Sequence, residues 1–348
     1  MTVNIAGREI GPGRPCLIVA EAGVNHNGET RNALRLVDAA ARAEADAVKF
    51  QTFSADRIAT AGAPKAAYQR KGSPRGQSML EMLRNIELDE AAHRRLRERC
   101  RQRSILFLST PFDEQSADLL ERLGVAAFKV PSGEITNLPL LAHIARKGRP
   151  VILSTGMADL REVGDAVRAI EKAGDPPLVL LHCVSRYPAP PREANLRAMA
   201  TLASAFGRPV GFSDHTPGIE VSLAAAALGA CLIEKHFTLD RGLPGPDHAC
   251  SLEPGELAAL VRGVRIVESS LGHGRKEPVR GERETARVAR KSLVAARLIP
   301  AGSRLSEELI ALKRPGTGLP PAMRAKLIGR VARRDIPAGS LLRLEMLA

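Results

Sequence analysis

The chain has 348 residues, 44% of them hydrophobic and 26% charged, an ordinary globular composition with room for one large domain and a small one, or for two similar ones. No apolar run approaches the roughly 20 residues that span a bilayer, the N-terminal MTVNIAGREIGPGRPC has no basic-then-apolar leader, and the five cysteines form no CxxC pair, so the expectation is a cytoplasmic protein with no membrane partner, disulfide scaffold or cysteine zinc site. Of the net charge of +13, most sits in residues 273–348, with 17 basic and 7 acidic residues, but every Phe and Tyr lies before residue 238, so this basic tail has no ring for a base to stack on and no nucleic-acid partner is expected.

Short β-rich apolar runs recur at Leu17–Ala20, Ala47–Phe50, Ile105–Leu108, Ala127–Val130, Val151–Leu153, Leu178–Leu181, Val210–Phe212 and Leu232–Ile233. Amphipathic helical patterns fall between them, as at Thr30–Ala45, Asp89–Arg103, Phe112–Leu123, Asp159–Ala173 and Ile219–Leu228, and Gly255–Leu271 follows the last run. Strand alternating with helix points to parallel pairing, and eight units in about 250 residues is the size of a (β/α)8 TIM barrel. A doubly wound sheet also alternates, but no GxGxxG follows the first run. Nearly every run ends in polar residues: Glu21, Lys49 with Gln51, Ser109-Thr110, Lys129 with Ser132, Ser154-Thr155, His182 with Ser185, Ser213-Asp214-His215 and Glu234-Lys235-His236. In such barrels the strands' C-terminal ends carry the active site, although polar residues also simply end strands.

Residues 272–285, GHGRKEPVRGERET, are charged and Gly/Pro-bearing, which predicts a linker over 273–285. Residues 286–348 contain a near-repeat, Ile299-Pro-Ala-Gly-Ser-Arg-Leu305 and Ile336-Pro-Ala-Gly-Ser-Leu-Leu342, which predicts a small β-rich domain with pseudo-two-fold symmetry.

Several groups have the chemistry of a site. His215 and His236 close neighbouring strands and can share an open-sited divalent ion, or each can cap its strand. Lys49 and Lys129 with Thr110, Ser132, Ser154, Ser185 and Ser213 supply the charges and donors that a phosphate or carboxylate ligand needs. Lys129 alone also suits a Schiff-base nucleophile, as in aldolases. Glu21, Glu134 and Asp247 are the carboxylates near the same rim, suited to proton transfer if their pKa is raised. The stretch Glu21-Ala-Gly-Val-Asn-His-Asn-Gly28 reads as a ligand-facing loop, and Arg314-Pro-Gly-Thr-Gly318 holds a single planar cation in a stiff one.

The pieces AEAGVNHNG (20–28), VKFQTF (48–53), STPFD (109–113), KVPSGEITNLPLL (129–141), LSTGM (153–157), HCVSRYPAP (182–190), GFSDHT (211–216), EKHFT (234–238), GPDHACSLEP (245–254) and KRPGTG (313–318) together resemble the sialic acid synthase family, whose members condense phosphoenolpyruvate with an N-acetylated sugar. The resemblance implies a TIM barrel over 1–272 and an antifreeze-like (SAF, β-clip) domain over 286–348. It implies a divalent metal, foremost Mn²⁺ with Mg²⁺ or Co²⁺ as alternatives, on His215 and His236. It also implies a phosphoenolpyruvate site of Lys49, Thr110, Lys129, Ser132, Ser154, Ser185 and Ser213, and a sugar site of Glu21, Gln51, Tyr187 and Asp247. Arg314 is expected to reach the partner's sugar in a domain-swapped homodimer. Glu134, Lys129 and Glu21 are the expected catalytic groups, and N-acetylmannosamine, giving N-acetylneuraminate, is the expected substrate. Ser185-Arg186 stands where sialate-forming relatives commonly carry Asn, which leaves open a legionaminate or pseudaminate synthase acting on a diacetamido-trideoxy hexose. A Schiff-base aldolase and a non-catalytic anion- or carbohydrate-binding protein are the readings from other classes.

Overall fold

The computed structural model describes residues 1–71, 74 and 76–348, and the chain divides into two compact units, Met1–Gly272 and His273–Ala348. The first unit opens with an antiparallel hairpin, β1 (Val3–Ile5) and β2 (Arg8–Ile10). The eight runs foreseen from sequence then form β3 (Leu17–Gly23), β4 (Ala47–Thr52), β5 (Leu106–Pro111), β6 (Phe128–Val130), β7 (Val151–Ser154), β8 (Leu178–Cys183), β9 (Val210–Asp214) and β10 (Leu232–His236). They make one parallel sheet in the order β5-β4-β3-β10-β9-β8-β7-β6, and β5 and β6 at its two ends are in contact, so the barrel is nearly closed. Most strands run on into the polar residues that follow each apolar run. No helix among the described residues is long and apolar enough to cross a membrane.

Side chains alternate along each strand, which separates two apolar layers. Leu17, Val19, Ala47, Leu108, Ile152, Val179, Leu181 and Leu232 point inward and form one cluster with Val3, Ile5 and Ile10 of the hairpin, which thus floors the barrel's N-terminal end. The hairpin was not foreseen. Their neighbours Ile18, Val48, Phe50, Phe107, Phe128, Leu153, Phe212 and Ile233 point outward against the surrounding helices. Three of those helices start where an acidic side chain takes the first free N–H groups: Asp89 accepts from Ala92, Asp113 from Ser116, and Asp159 forms a reciprocal pair with Glu162. Between β4 and the helix Glu90–Gln102 the chain makes an excursion through three short helices, α1 (Ala55–Ile58), α2 (Ala67–Lys71) and α3 (Met79–Asn85), with an apolar cluster of its own around Phe53, Met82, Leu83 and Ile86.

In the second unit a helix, Arg280–Ala289, begins inside the stretch expected as linker. Beyond it, Ser292–Ala295 pairs antiparallel with Ile310–Lys313. The two copies of the repeat pair with each other: Ile299 N–H donates to the Ile336 carbonyl at 3.0 Å and Ile336 N–H to the Ile299 carbonyl at 2.8 Å. Gly302 and Gly339 sit at the same φ of 79°, the left-handed turn that a side chain would strain. The repeat is therefore a local two-fold.

Gly211 on β9 faces the barrel interior where a Cβ would lie 2.4 Å from the Leu232 carbonyl oxygen and 2.7 Å from Leu181. Gly211→Ala should cost about 1–3 kcal/mol through overpacking; an unchanged urea midpoint would show that the β8–β9–β10 wall can move aside.

Candidate active site

The inward residues beyond the apolar layer line a cavity of about 1370 Å³ at the strands' C-terminal ends. Strand register sets who meets whom: Glu21 lies beside Lys49 and His236, and Glu234 beside Ser213. The Lys49 ammonium is 2.7 Å from Glu21 and 3.6 Å from Glu234, and Lys129 is 3.3 Å from Glu234. Lys49 also donates to Thr110 at 2.9 Å, and Ser213 donates to Glu234 at 3.0 Å. All four charged groups are buried. Burial alone would push the Lys49 ammonium down, but the Glu21 and Glu234 carboxylates outweigh it and hold this pKa above its ordinary value. For Lys129 burial wins over Glu234, with Lys49 repelling it as well, and its pKa is lowered. Glu21 goes the other way: burial, only partly offset by Lys49, raises it to about 7. Burial would raise Glu234 too, but the two ammonium groups and the Ser213 hydroxyl bring it down to about 2.

Beside the lysines is a hollow edged by hydroxyls. Gly156 N–H donates to Ser132 Oγ at 2.9 Å, and a Cβ on Gly156 would lie 2.3 Å from Ser185 Oγ and 2.7 Å from Ser132 Oγ. Ser154 Oγ is buried with no hydrogen-bond partner among the described residues. A hydroxyl left without a partner in this way, lining the same cavity as the two ammonium groups, suits an oxyanion.

His215 and His236 also meet here, ring centroids 5.5 Å apart. The His215 Nδ1–H donates to the Val184 carbonyl at 2.8 Å, which leaves Nε2 with its lone pair. Burial lowers His215, but Cys183 and the Val184 carbonyl outweigh it and the net shift is upward. Burial, with His215 facing it, drives His236 well below the ordinary value, and its buried Nδ1 has no hydrogen-bond partner among the described residues, the nearest carboxylate oxygen being Asp247 Oδ2 at 3.9 Å. Burial raises Asp247 to about 6. Among the described residues no three His, Cys, Asp or Glu side chains form a ready-made metal cluster. Two imidazoles with unused nitrogens fit a divalent ion whose other positions go to water or substrate.

Gln51, Glu134, Tyr187 and Asp247 line the same cavity, and Asn137 fixes the Glu134 carboxylate at 2.7 Å. Tyr187 packs on His215 at 4.0 Å. Arg314 lies exposed in the second unit, after Ile310–Lys313. Not every polar strand end faces the cavity. Ser109 bonds Thr52, which bonds His93, on the outer side of the wall; His182 bonds the Ala194 carbonyl; Lys235 pairs with Asp214 at 2.7 Å. The alternation that turns Glu234 and His236 inward turns Lys235 outward. Glu234, the hub of both lysines, was not singled out from sequence, although its spacing from His236 marks it. Cys183, 3.8 Å from His215 Nδ1, and Tyr68, stacked on Tyr187 at 4.8 Å, were missed as well, and nothing in its local sequence marks Tyr68.

The sequence pattern of the NeuB family matches residues 36–276, and that of the SAF domain matches residues 290–348. The chain is 46% identical to the N,N'-diacetyllegionaminic acid synthase of Legionella pneumophila, over 96% of this chain and 95% of that one. It is also 46% identical to the protein of the same name in Campylobacter jejuni, over 94% and 98%. Among solved structures, the N-acetylneuraminic acid synthetase of Leptospira borgpetersenii in complex with citrate superposes with a TM-score of 0.72 at 38% identity, covering 82% of this chain and 95% of that one.

Because Glu21 has a folded pKa of about 7 against an ordinary 4.5, its ionisation works against the fold, and the protein loses stability as pH rises through that window. Glu21→Gln should flatten the fall of Tm between pH 5 and 8; parallel curves for the two proteins would show that Glu21 is ionised throughout.

Proposed function

The chain belongs to the NeuB family, and on that footing we propose that it condenses phosphoenolpyruvate with the open-chain aldehyde of an N-acetylated amino sugar and releases phosphate. The observation that carries this is the pair of buried lysines beside the Ser132–Ser154–Ser185 hollow, an oxyanion site in the same cavity as two imidazoles. For the sugar, a diacetamido-trideoxy hexose that gives a legionaminate-type product replaces N-acetylmannosamine, since the two legionaminic acid synthases match more closely than the N-acetylneuraminic acid synthetase.

In this reading Lys49, Lys129, Thr110, Ser213 and the serine hollow bind the phosphate and carboxylate of phosphoenolpyruvate. Glu21, Gln51, Tyr187 and Asp247 orient the sugar. His215 and His236 hold a divalent ion, Mn²⁺ foremost, which when bound supplies Lewis-acid polarisation of the aldehyde oxygen. C3 of phosphoenolpyruvate forms the new bond to the aldehyde carbon, whose oxygen ends as a hydroxyl with the proton that Glu134 takes from the water adding at C2; C2 then collapses to the ketone as phosphate departs with its bridging oxygen by C–O cleavage, carrying off the water's second proton. Lysines already fixed by Glu21 and Glu234 stabilise the moving charge without reorganising. In a domain-swapped homodimer Arg314 serves the sugar bound by the neighbouring chain. The lowered Lys129 also favours a second reading, a Schiff base, which borohydride trapping with the carbonyl substrate and activity surviving EDTA would support.

The deciding measurement is phosphate release from phosphoenolpyruvate with each candidate sugar, with and without Mn²⁺. Glu134→Gln should lower kcat by about 10²–10⁴-fold with little change in phosphoenolpyruvate affinity; normal turnover removes Glu134 from the proton path. Gly156→Ala, whose Cβ would push the Ser132 and Ser185 hydroxyls aside, should raise the KM for phosphoenolpyruvate by roughly ten-fold or more, about 1.4 kcal/mol, and an unchanged KM would place the phosphate elsewhere. Mixing Arg314→Ala with His215→Ala chains should restore activity to the heterodimer, and no rescue after verified subunit exchange would refute the swapped arrangement.

A further inference from the structure

We infer that Asp214 and Lys235, a buried ion pair on the outer side of the barrel wall, are positioning residues that hold the His215 and His236 imidazoles at the spacing a shared divalent ion needs. The inference rests on the ion-binding role proposed above for those imidazoles and assigns their alignment to residues outside the cavity.

The outward series on the two strands starts apolar, with Phe212 on β9 and Ile233 on β10 packed against the helices, and turns charged only at the level of the imidazoles. There Asp214 and Lys235 lie opposite each other in the ladder, and the Lys235 ammonium is 2.7 Å from Asp214 Oδ2. The same ammonium donates to the Thr216 carbonyl at 2.7 Å. Asp214 Oδ1 accepts from the Thr216 N–H at 2.8 Å and from its hydroxyl at 2.7 Å, and Oδ2 also accepts from the Ser222 hydroxyl. The residues on either side of His215 are thereby tied to each other, to the residue preceding His236 and, through Ser222, to the helix Glu220–Ala227. All four are buried and none lines the cavity, so the network reaches a ligand only through the backbone of the two histidines.

Its chemistry is more than packing requires. Taking two charges out of water is costly, and an apolar pair of similar volume commonly matches a buried ion pair in stability. What an apolar pair lacks is direction. A carboxylate and an ammonium that must satisfy all of these partners at once hold the turn from Asp214 to Thr216 in one place against the end of β10. From the cavity side the rings are lightly held. His215 has the Val184 carbonyl and the Tyr187 ring, and the buried His236 Nδ1 has no hydrogen-bond partner among the described residues. Rings held so lightly keep their 5.5 Å centroid separation through their backbone, which the ion pair fixes.

The test is calorimetric titration of the full chain with Mn²⁺, in the presence of phosphoenolpyruvate and without sugar so that nothing turns over, alongside thermal melts. Asp214→Asn combined with Lys235→Met removes both charges together and leaves no unpaired ion. This double variant should melt within about 3 °C of the wild type. It should nevertheless bind Mn²⁺ at least ten-fold more weakly, within the ~10–100-fold that losing the support of a metal ligand is worth. Ser222→Ala removes one donor and keeps both charges; it should weaken Mn²⁺ binding about three-fold, and it gives the reading if the double variant does not fold or melts far lower. Unchanged Mn²⁺ affinity in the double variant, or in Ser222→Ala where that is the reading, would overturn the positioning role and leave the imidazoles as ligands. His215→Ala is the control and should abolish binding. A wild type that binds no Mn²⁺, or a His215→Ala chain that binds it as the wild type does, would overturn the ion site and this inference with it.

Discussion

A β-strand turns every second side chain to the same side, and in a closed barrel that side is the interior. Everything at this site follows from that parity. Along β3 the inward series is Leu17, Val19, Glu21; along β10 it is Leu232, Glu234, His236. Each passes from apolar to ionisable in the same direction, because the strands are parallel. The interior is therefore dry and packed on the hairpin at one end and polar at the other.

Four charges set side by side away from water would be untenable if they were of one sign. Lys49 and Lys129 are balanced by Glu21 and Glu234, and Glu234 lies within reach of both lysines. Desolvation is costly for each ion and is tolerated because each has a partner of opposite sign, and two have further hydrogen bonds, Lys49 to Thr110 and Glu234 from Ser213. The pairing is unequal. Glu234 is held ionised by two cations, while Glu21, with one close cation, retains a proton more readily. An anionic ligand arriving at the lysines competes with these carboxylates, and Glu21 is the one able to give way by taking up a proton.

Much of this was legible from sequence, since apolar runs separated by amphipathic helices define a barrel, and the polar residues that end the runs mark its working face. Parity was the signal left unused. Counting in twos from Leu232 picks out Glu234 and His236 and rejects Lys235, whose partner Asp214 lies on the outer side of β9. Counting in the same way sends Ser109 and His182 outward. The excursion after β4 carried no comparable signal: α1, α2 and α3 are four, five and seven residues long, too short for a clear helical period. Tyr68 reaches Tyr187 through tertiary packing that no local pattern encodes. The Ile-Pro-Ala-Gly-Ser repeat was the opposite situation, its two-fold being written in the sequence itself.

The hairpin of Val3–Ile5 and Arg8–Ile10 leaves the barrel with a sealed floor. A vessel stoppered at the bottom handles all its traffic at the brim. Every ligand of the lysines and imidazoles therefore comes and goes past one rim, and the far end of the barrel is held shut by a six-residue plug.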